Sequence, residues 1–401
     1  MREVVLASRT LCVGCGACVA SCLKSAIKMT SGELGFTFPT IDKDNCVGCL
    51  ACTKVCPVLE RSERTTASPL ESYAAQNCDK DVVEDSTSGG VFSALAEVVL
   101  NKHQGVVYGC SLVRPNLVAR HLRIESIHGL SELRGSKYVQ SDLSGVYEQV
   151  VNDLKHGRLV LFSGTPCQIL AMRKFIGSEP CGNILFVEVV CHGVMSPAMF
   201  ELYKTELSNM AGARVKTIRF RDKRAVPGRS SFVADFDGEK SALTVPSYTD
   251  PYGRLFQSRL ALRSSCFRCV ARNGGSGADI TIGDFWGVEE THPELRGKGA
   301  LSAVIVRTTF GEDMLRTASV KLWKSSYEKI LASNPSLALN TQCNEKTRQL
   351  FIAKVATLGF CESVKRVLEG PIVLRVIRKA TRIVRRYLGR FCRKMGLLPR
   401  R

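Results

Sequence analysis

Residues 158–175, RLVLFSGTPCQILAMRKF, decide the fold. The apolar run from Leu159 to Phe162 reads as a buried strand, Ser163-Gly164-Thr165 as a tight turn, and Pro166 sits at the first position of a helix, where proline is tolerated. Residues 183–207, NILFVEVVCHGVMSPAMFELYKTEL, repeat the design: a strand from Ile184 to Val190, a Cys191-His192-Gly193 loop, then a helix opened by Ser196-Pro197. Alternation of strand and helix predicts parallel neighbours in an α/β domain with a mixed, largely parallel sheet. Loops at the carboxyl ends of such strands share one rim, and ligands bind there.

Each of those two loops carries one thiol, Cys167 and Cys191. Residues 263–273, RSSCFRCVARN, hold Cys266 and Cys269 at metal-ligand spacing with no second pair nearby. Delivered to the rim, they complete four thiolates, enough for a 4Fe-4S cluster. Zinc suits the same soft, tetrahedral donor set. A third reading makes Cys167 a nucleophile activated at a helix N-terminus, with His192 as its base. Cys78, Cys110, Cys181, Cys343, Cys361 and Cys392 have no paired spacing and read as small apolar residues.

Nearer the N-terminus the chain reads CVGCGACVASC and then CVGCLACTKVCP. Cys12, Cys15, Cys18 and Cys22 repeat their spacing at Cys46, Cys49, Cys52 and Cys56, and Pro57 closes the second copy. This is the two-cluster bacterial ferredoxin pattern, in which the fourth cysteine of each run ligates the other cluster. It assigns Cys12, Cys15, Cys18 and Cys56 to one 4Fe-4S cluster, and Cys46, Cys49, Cys52 and Cys22 to the second. Gly14, Gly16 and Gly48 let backbone amides approach the sulfurs, and such bonds tune potential. Leu23 stands where the first run would usually carry proline. Alternation in ELGFTFPTID predicts a hairpin between the runs.

The polar run RSERTTASPLES reads as a linker. The expected organisation is a two-cluster ferredoxin domain over 1–60, a linker over 61–72, a flavin domain in two parts, 73–150 and 151–330, and a helical basic tail over 331–401. Of the 401 residues 45% are hydrophobic, as in a globular protein, and the 18 cysteines cluster as ligands rather than as a disulfide framework. The opening MREVVLASRT lacks a signal-peptide apolar region, and no apolar stretch approaches the roughly 20 residues of a membrane span. The expected location is cytoplasmic.

The net charge of +19 is concentrated: from Lys365 to Arg401 thirteen Lys or Arg face one acid, Glu369. Within that tail Val373, Val376, Ile377, Ala380, Ile383, Val384, Tyr387, Leu388, Phe391 and Met395 recur at helical intervals. A basic amphipathic helix of this kind suits peripheral contact with an anionic membrane at the inner face of the cell membrane, or packing on the body with a solvated face. Few aromatics interleave the charges, and no nucleic-acid motif is present.

In order after the ferredoxin pattern come STSGGVFSALAE, SKYVQSD, GTPCQI, CHGVMSP, RFRDK, CFRC and ADITIGDFWG. As an ordered set, from about residue 10 to residue 325, they resemble the coenzyme F420 hydrogenase/dehydrogenase beta-subunit family. The resemblance implies an FAD-dependent iron-sulfur oxidoreductase, a third 4Fe-4S cluster on Cys167, Cys191, Cys266 and Cys269, and an FAD pocket including Ser88, Gly89, Gly90, Lys137 and Tyr138. Each pocket residue also has a plain reading: a glycine turn, a solvated lysine, a core tyrosine. Arg219, Arg221, Asp222 and Lys223 are implied near an anionic substrate or flavin phosphate, or form a charged strand edge. Asp284 and Trp286 either line the same pocket or cap a turn and fill core. The implied partners are an external ferredoxin and a small-molecule substrate. Members resembling this chain accompany polysaccharide-biosynthesis enzymes, which makes a glycan precursor one expected substrate. Flavin links one-electron carriers to two-electron chemistry. A non-catalytic electron-transfer subunit and a membrane-docked scaffold with structural metal sites are the competing readings.

Overall fold

The computed structural model describes residues 4–59, 68–177, 182–226 and 229–369. The membrane-binding expectation for residues 373–395 lies outside these residues, as do Cys181 and Cys392. Among the described residues no helix is long and apolar enough to cross a membrane.

In the head, β1 (Ile27–Ser31) and β2 (Thr37–Ile41) pair antiparallel, the hairpin expected from the alternation. Phe36 and Phe38 turn inward and pack with Cys12. Glu71, within the segment read as linker, already begins β3 (Glu71–Asn77). It is followed by β4 (Val106–Val113), β5 (Val118–Ile124), β6 (Val160–Gly164) and β7 (Ile184–Val189). Next come β8 (Val215–Asp222), β9 (Ser231–Phe236) and β10 (Leu243–Pro246), an antiparallel three-stranded sheet of their own. The chain then returns with β11 (Ile280–Asp284), β12 (Ser302–Val306) and β13 (Val320–Lys324).

The main sheet has eight strands in the order β13-β3-β12-β11-β7-β6-β4-β5. Strands β6 and β7 are parallel neighbours, as their strand-turn-helix pattern requires. The sheet is mixed, but its parallel part is narrower than expected: β11, β7, β6 and β4 run parallel, and every pairing outside them is antiparallel. The β4–β5 flank is a tight connection that can only return antiparallel.

Both faces of the parallel centre are covered, so its strands are apolar throughout rather than alternating. Leu161, Leu185, Val187 and Ile282 face one core, while Val160, Phe162, Ile184 and Phe186 face the other. A further core joins β8–β10 to the Pro197–Ala211 helix and the C-terminal helices through Tyr203, Phe220, Phe232, Tyr252 and Phe360. Asp250 accepts from the Tyr203 hydroxyl inside it and caps the Pro251–Ser258 helix.

The head is held to the body by side chains reaching backbone carbonyls. Tyr147 Oη donates to the Cys15 carbonyl at 3.0 Å, and Gln140 Nε2 to those of Val13 at 3.2 Å and Gly14 at 3.3 Å. Ser196 caps the Pro197–Ala211 helix and donates to the Leu34 carbonyl. Backbone groups left without water need such partners.

Candidate functional site

The two cysteine runs each close on a short helix, Ala17–Ala20 and Ala51–Lys54. Gly14, Gly16 and Gly48 all have positive φ. Those left-handed turns are what glycine permits without strain. One small cavity is bordered by Cys12, Cys15, Cys18 and Cys56 together with Cys52. The crossed fourth cysteine of the second run is therefore beside the first three of the first run. Cys18 is pushed up to about 12, chiefly by burial and then by neighbouring thiols, Cys12 and Cys56 before Cys52. In the second set the Ala26 amide donates to Cys22 Sγ at 3.3 Å, Cys49 is exposed, and Leu23 is 98% exposed beside Cys22 in sequence.

The rim loops bring the four other thiols together. Burial, with the neighbouring thiols, pushes Cys167, Cys191 and Cys266 up to about 12: Cys167 feels Cys269 and Cys191, Cys191 feels Cys266 and Cys269, and Cys266 feels Cys167 and Cys269. Two backbone donors point at the sulfurs, Gly193 N to Cys191 Sγ at 3.4 Å and Val194 N to Cys266 Sγ at 3.5 Å, and Thr165 Oγ1 lies 3.3 Å from Cys167 Sγ. Thr165 is fixed in turn by Gln168, whose Oε1 accepts from the Thr165 amide at 2.9 Å and whose Nε2 donates to Ser141 Oγ at 2.9 Å. Ser141 meets the buried His121 ring at 3.1 Å.

A buried thiol of raised pKa is the reverse of an activated nucleophile. The His192 ring is pushed down by burial and then by the Arg272 and Arg259 charges, which outweigh the opposing Asp284 carboxylate. Among the described residues no three His, Cys, Asp or Glu side chains converge on a single ion's position. Four soft donors with inward N–H groups fit the cluster.

A cluster of apolar contacts joins the first head site to the rim site: Val13, Val58 and Val270 pack with Cys15, Cys56 and Cys167. Beyond the rim lies a cavity of about 340 Å³. Its wall carries Arg114, Arg134, Lys137, Arg219, Arg221 and Arg224 against Glu84, Asp85, Glu132 and Asp222. Lys137 Nζ donates to the Arg134 carbonyl at 2.6 Å and the Glu132 carbonyl at 3.2 Å, and burial lowers its pKa to about 8. Arg221 reaches toward the rim, ion-paired with Asp284 and lying 5.0 Å from the Trp286 ring centroid. Trp286 is half-exposed.

Of the residues expected in a flavin pocket, Lys137 lines this cavity. Tyr138 stacks on Phe256 behind it, centroids 4.3 Å apart. Ser88, Gly89 and Gly90 stand outside its lining. Ser88 Oγ donates to the Leu301 carbonyl at 3.0 Å, Gly89 N to Ser302 Oγ at 2.9 Å, and Gly90 opens the Val91–Glu97 helix with φ 79°. Lys223 ties that loop to the RFRDK strand end, donating to the Ser88 and Val83 carbonyls. Cys110, Cys343 and Cys361 pack at the edge of the aromatic core, whereas Cys78 is exposed.

Residues 157–328 match the family model for the carboxyl-terminal part of the coenzyme F420 hydrogenase/dehydrogenase beta subunit, and residues 11–59 match a 4Fe-4S dicluster domain. The F subunit of the F(420)H(2) dehydrogenase of Methanosarcina mazei is 25% identical over 195 residues, 45% of this chain and 53% of that protein. The chain thus spans about half the length of that curated relative. A chain of the F420-reducing [NiFe] hydrogenase complex from Methanosarcina barkeri aligns with TM-score 0.46 and 17% identity, covering 77% of this chain and 93% of that one. A beta-subunit family match behind a dicluster head describes an iron-sulfur protein of an electron-transferring oxidoreductase family.

The sequence reading missed Arg263, Gln140 and the arginines Arg114, Arg134 and Arg224 of the cavity. Arg263 stood in the quoted stretch around Cys266, three residues before it, but its role depends on a partner 251 residues away.

Proposed function

We propose that this chain is a flavin and iron-sulfur oxidoreductase that moves electrons between a ferredoxin-type carrier and a small anionic organic substrate. The observation that carries this reading is the succession of sites. The second head set has an exposed cysteine, Cys49. The first head set touches Cys167 through the Val13, Val58 and Val270 cluster. The rim set adjoins His192, Arg221 and Asp284, and Arg221 lines the cationic cavity.

Twelve cysteines would hold three 4Fe-4S clusters: Cys12, Cys15, Cys18 and Cys56; Cys46, Cys49, Cys52 and Cys22; Cys167, Cys191, Cys266 and Cys269. Flavin adenine dinucleotide, when bound, supplies exchange between single electrons and electron pairs. The cavity's chemistry fits its anionic half: Lys137, Arg134, Arg219 and Arg224 suit a pyrophosphate, while Arg221, Asp284 and Trp286 face the rim. Ser88 is tied to the RFRDK strand end that carries part of that wall through Lys223. Sugar-phosphate glycan precursors belong to the substrate class such a wall would attract.

The curated relative is named as part of a dehydrogenase, and this favours a second reading, an electron-transfer subunit serving a partner enzyme. Cys167→Ser separates the routes. With reduced ferredoxin as donor, the head clusters of the variant should bleach at the wild-type rate while flavin reduction slows at least tenfold, and direct photoreduction of the flavin should be unchanged. Wild-type flavin reduction through the carrier would sink the proposed route.

A further inference from the structure

Arg263 is the largest fully buried side chain of the described residues, 1% exposed. Its backbone belongs to the rim loop: its amide donates to the Val194 carbonyl at 3.1 Å, and its carbonyl accepts from Cys266 N at 2.9 Å. Its guanidinium belongs to the head. Nε donates to the Cys12 carbonyl at 2.7 Å and Nη2 to the Thr37 carbonyl at 2.8 Å, with Cys12 Sγ 3.7 Å from the same nitrogen. Nη1 donates to Gln140 Oε1 at 3.0 Å. The guanidinium carbon lies 4.5 Å from the Phe38 ring centroid and 5.2 Å from that of Phe36.

Every one of these acceptors is formally neutral or a thiol, and among the described residues no carboxylate pairs with Arg263. A buried cation without a counter-charge is costly. The missing charge is supplied if Cys12 is a thiolate of an anionic cluster. The space is reserved for it: a Cβ at Gly14 would lie 2.5 Å from Nη1. The charge also reaches the other side, acting on Cys167 and Cys266 in the direction that favours their thiolates. A lysine would keep the charge but not the fork, which fills three separate acceptors.

We infer that Arg263 is a positioning and potential-setting residue, a fixed cation shared by the cluster on Cys12 and the cluster on Cys167 and Cys266. It raises the reduction potential of the first and holds the two at constant separation. The inference rests on the cluster reading of both sites. A fixed positive charge and an N–H donor to a ligand sulfur both stabilise the reduced, more negative cluster.

The test uses the full chain purified without oxygen, with iron counted before each EPR-monitored redox titration. Arg263→Gln should lower the electron affinity of one head cluster at least tenfold, about 59 mV for one electron. Arg263→Lys, which keeps the charge, should recover most of that loss. Arg9→Gln, at an exposed position over the same Phe38 ring, should change nothing. Equal effects of Gln and Lys, or full iron with unchanged potentials, would overturn the inference. Should Arg263→Gln fail to assemble, wild-type protein labelled with ¹⁵N-arginine decides. Pulsed EPR of the reduced head should show a ¹⁵N coupling, and its absence overturns the inference as well. Wild-type protein without iron at either site would instead remove the cluster reading itself.

Discussion

Lys137 is held in the cavity wall by two carbonyls rather than by an acid, and burial brings its pKa down to about 8 from the lysine range near 10.4. The sign of its effect follows. Below about 8 it is a cation and favours a bound anion; as pH rises through 8 it loses its proton and that attraction fades. Affinity for pyrophosphate, measured by calorimetry on the full chain, should therefore weaken above pH 8 by up to about tenfold per unit, because the linked proton is released. A bound anion pulls the pKa back up, so the decline shifts upward at saturation. Lys137→Met should flatten the profile, and a profile identical to wild type would show that Lys137 does not meet the anion. At this scale the sequence was most informative about cysteines, whose spacing reports their ligand role directly. It was least informative about Arg263 and Arg134, since one arginine among many carries no mark of burial until a distant chain segment closes over it.

The elements repeat that contrast. The strand-turn-helix pattern of residues 158–175 and 183–207 specified β6, β7 and their parallel pairing because both parts of the signal are local. The flanks of the sheet were not legible, since β3 pairs with β12 and β13, more than two hundred residues onward. Nothing in the alternation of a short strand names such a partner. The STSGG loop shows how the two levels meet. The resemblance placed its glycines at a flavin pocket, and the close approach they make is to the chain itself: a Cβ at Gly89 would lie 2.4 Å from the Ala75 carbonyl oxygen and 2.8 Å from Ser302 N. Gly89→Ala must displace backbone on β3 or β12. It should cost about 2 kcal/mol or more, in the range of overpacking a rigid site, seen as a lowered denaturation midpoint with iron content retained. Full stability would mean the loop adapts and is not pinned by those strands.

Across the whole molecule, the head is joined to the body by Tyr147, Gln140, Ser196 and Arg263, all reaching head carbonyls. That junction places the first head site against Cys167 and leaves Cys49 facing outward. The proposed route runs between an exposed site and the cavity beyond the rim, and electrons could pass along it either way. It depends on the rim thiols forming one site although they come from three separate stretches of chain. The measurement that tests this most directly is the iron, zinc and flavin content of anaerobically purified protein beside its Cys266→Ser variant. The account predicts about twelve irons and one flavin per chain, falling to about eight irons in the variant, four for each 4Fe-4S cluster. About eight irons in both proteins, with zinc bound or no flavin, would contradict it and leave the ferredoxin head as the redox-active part.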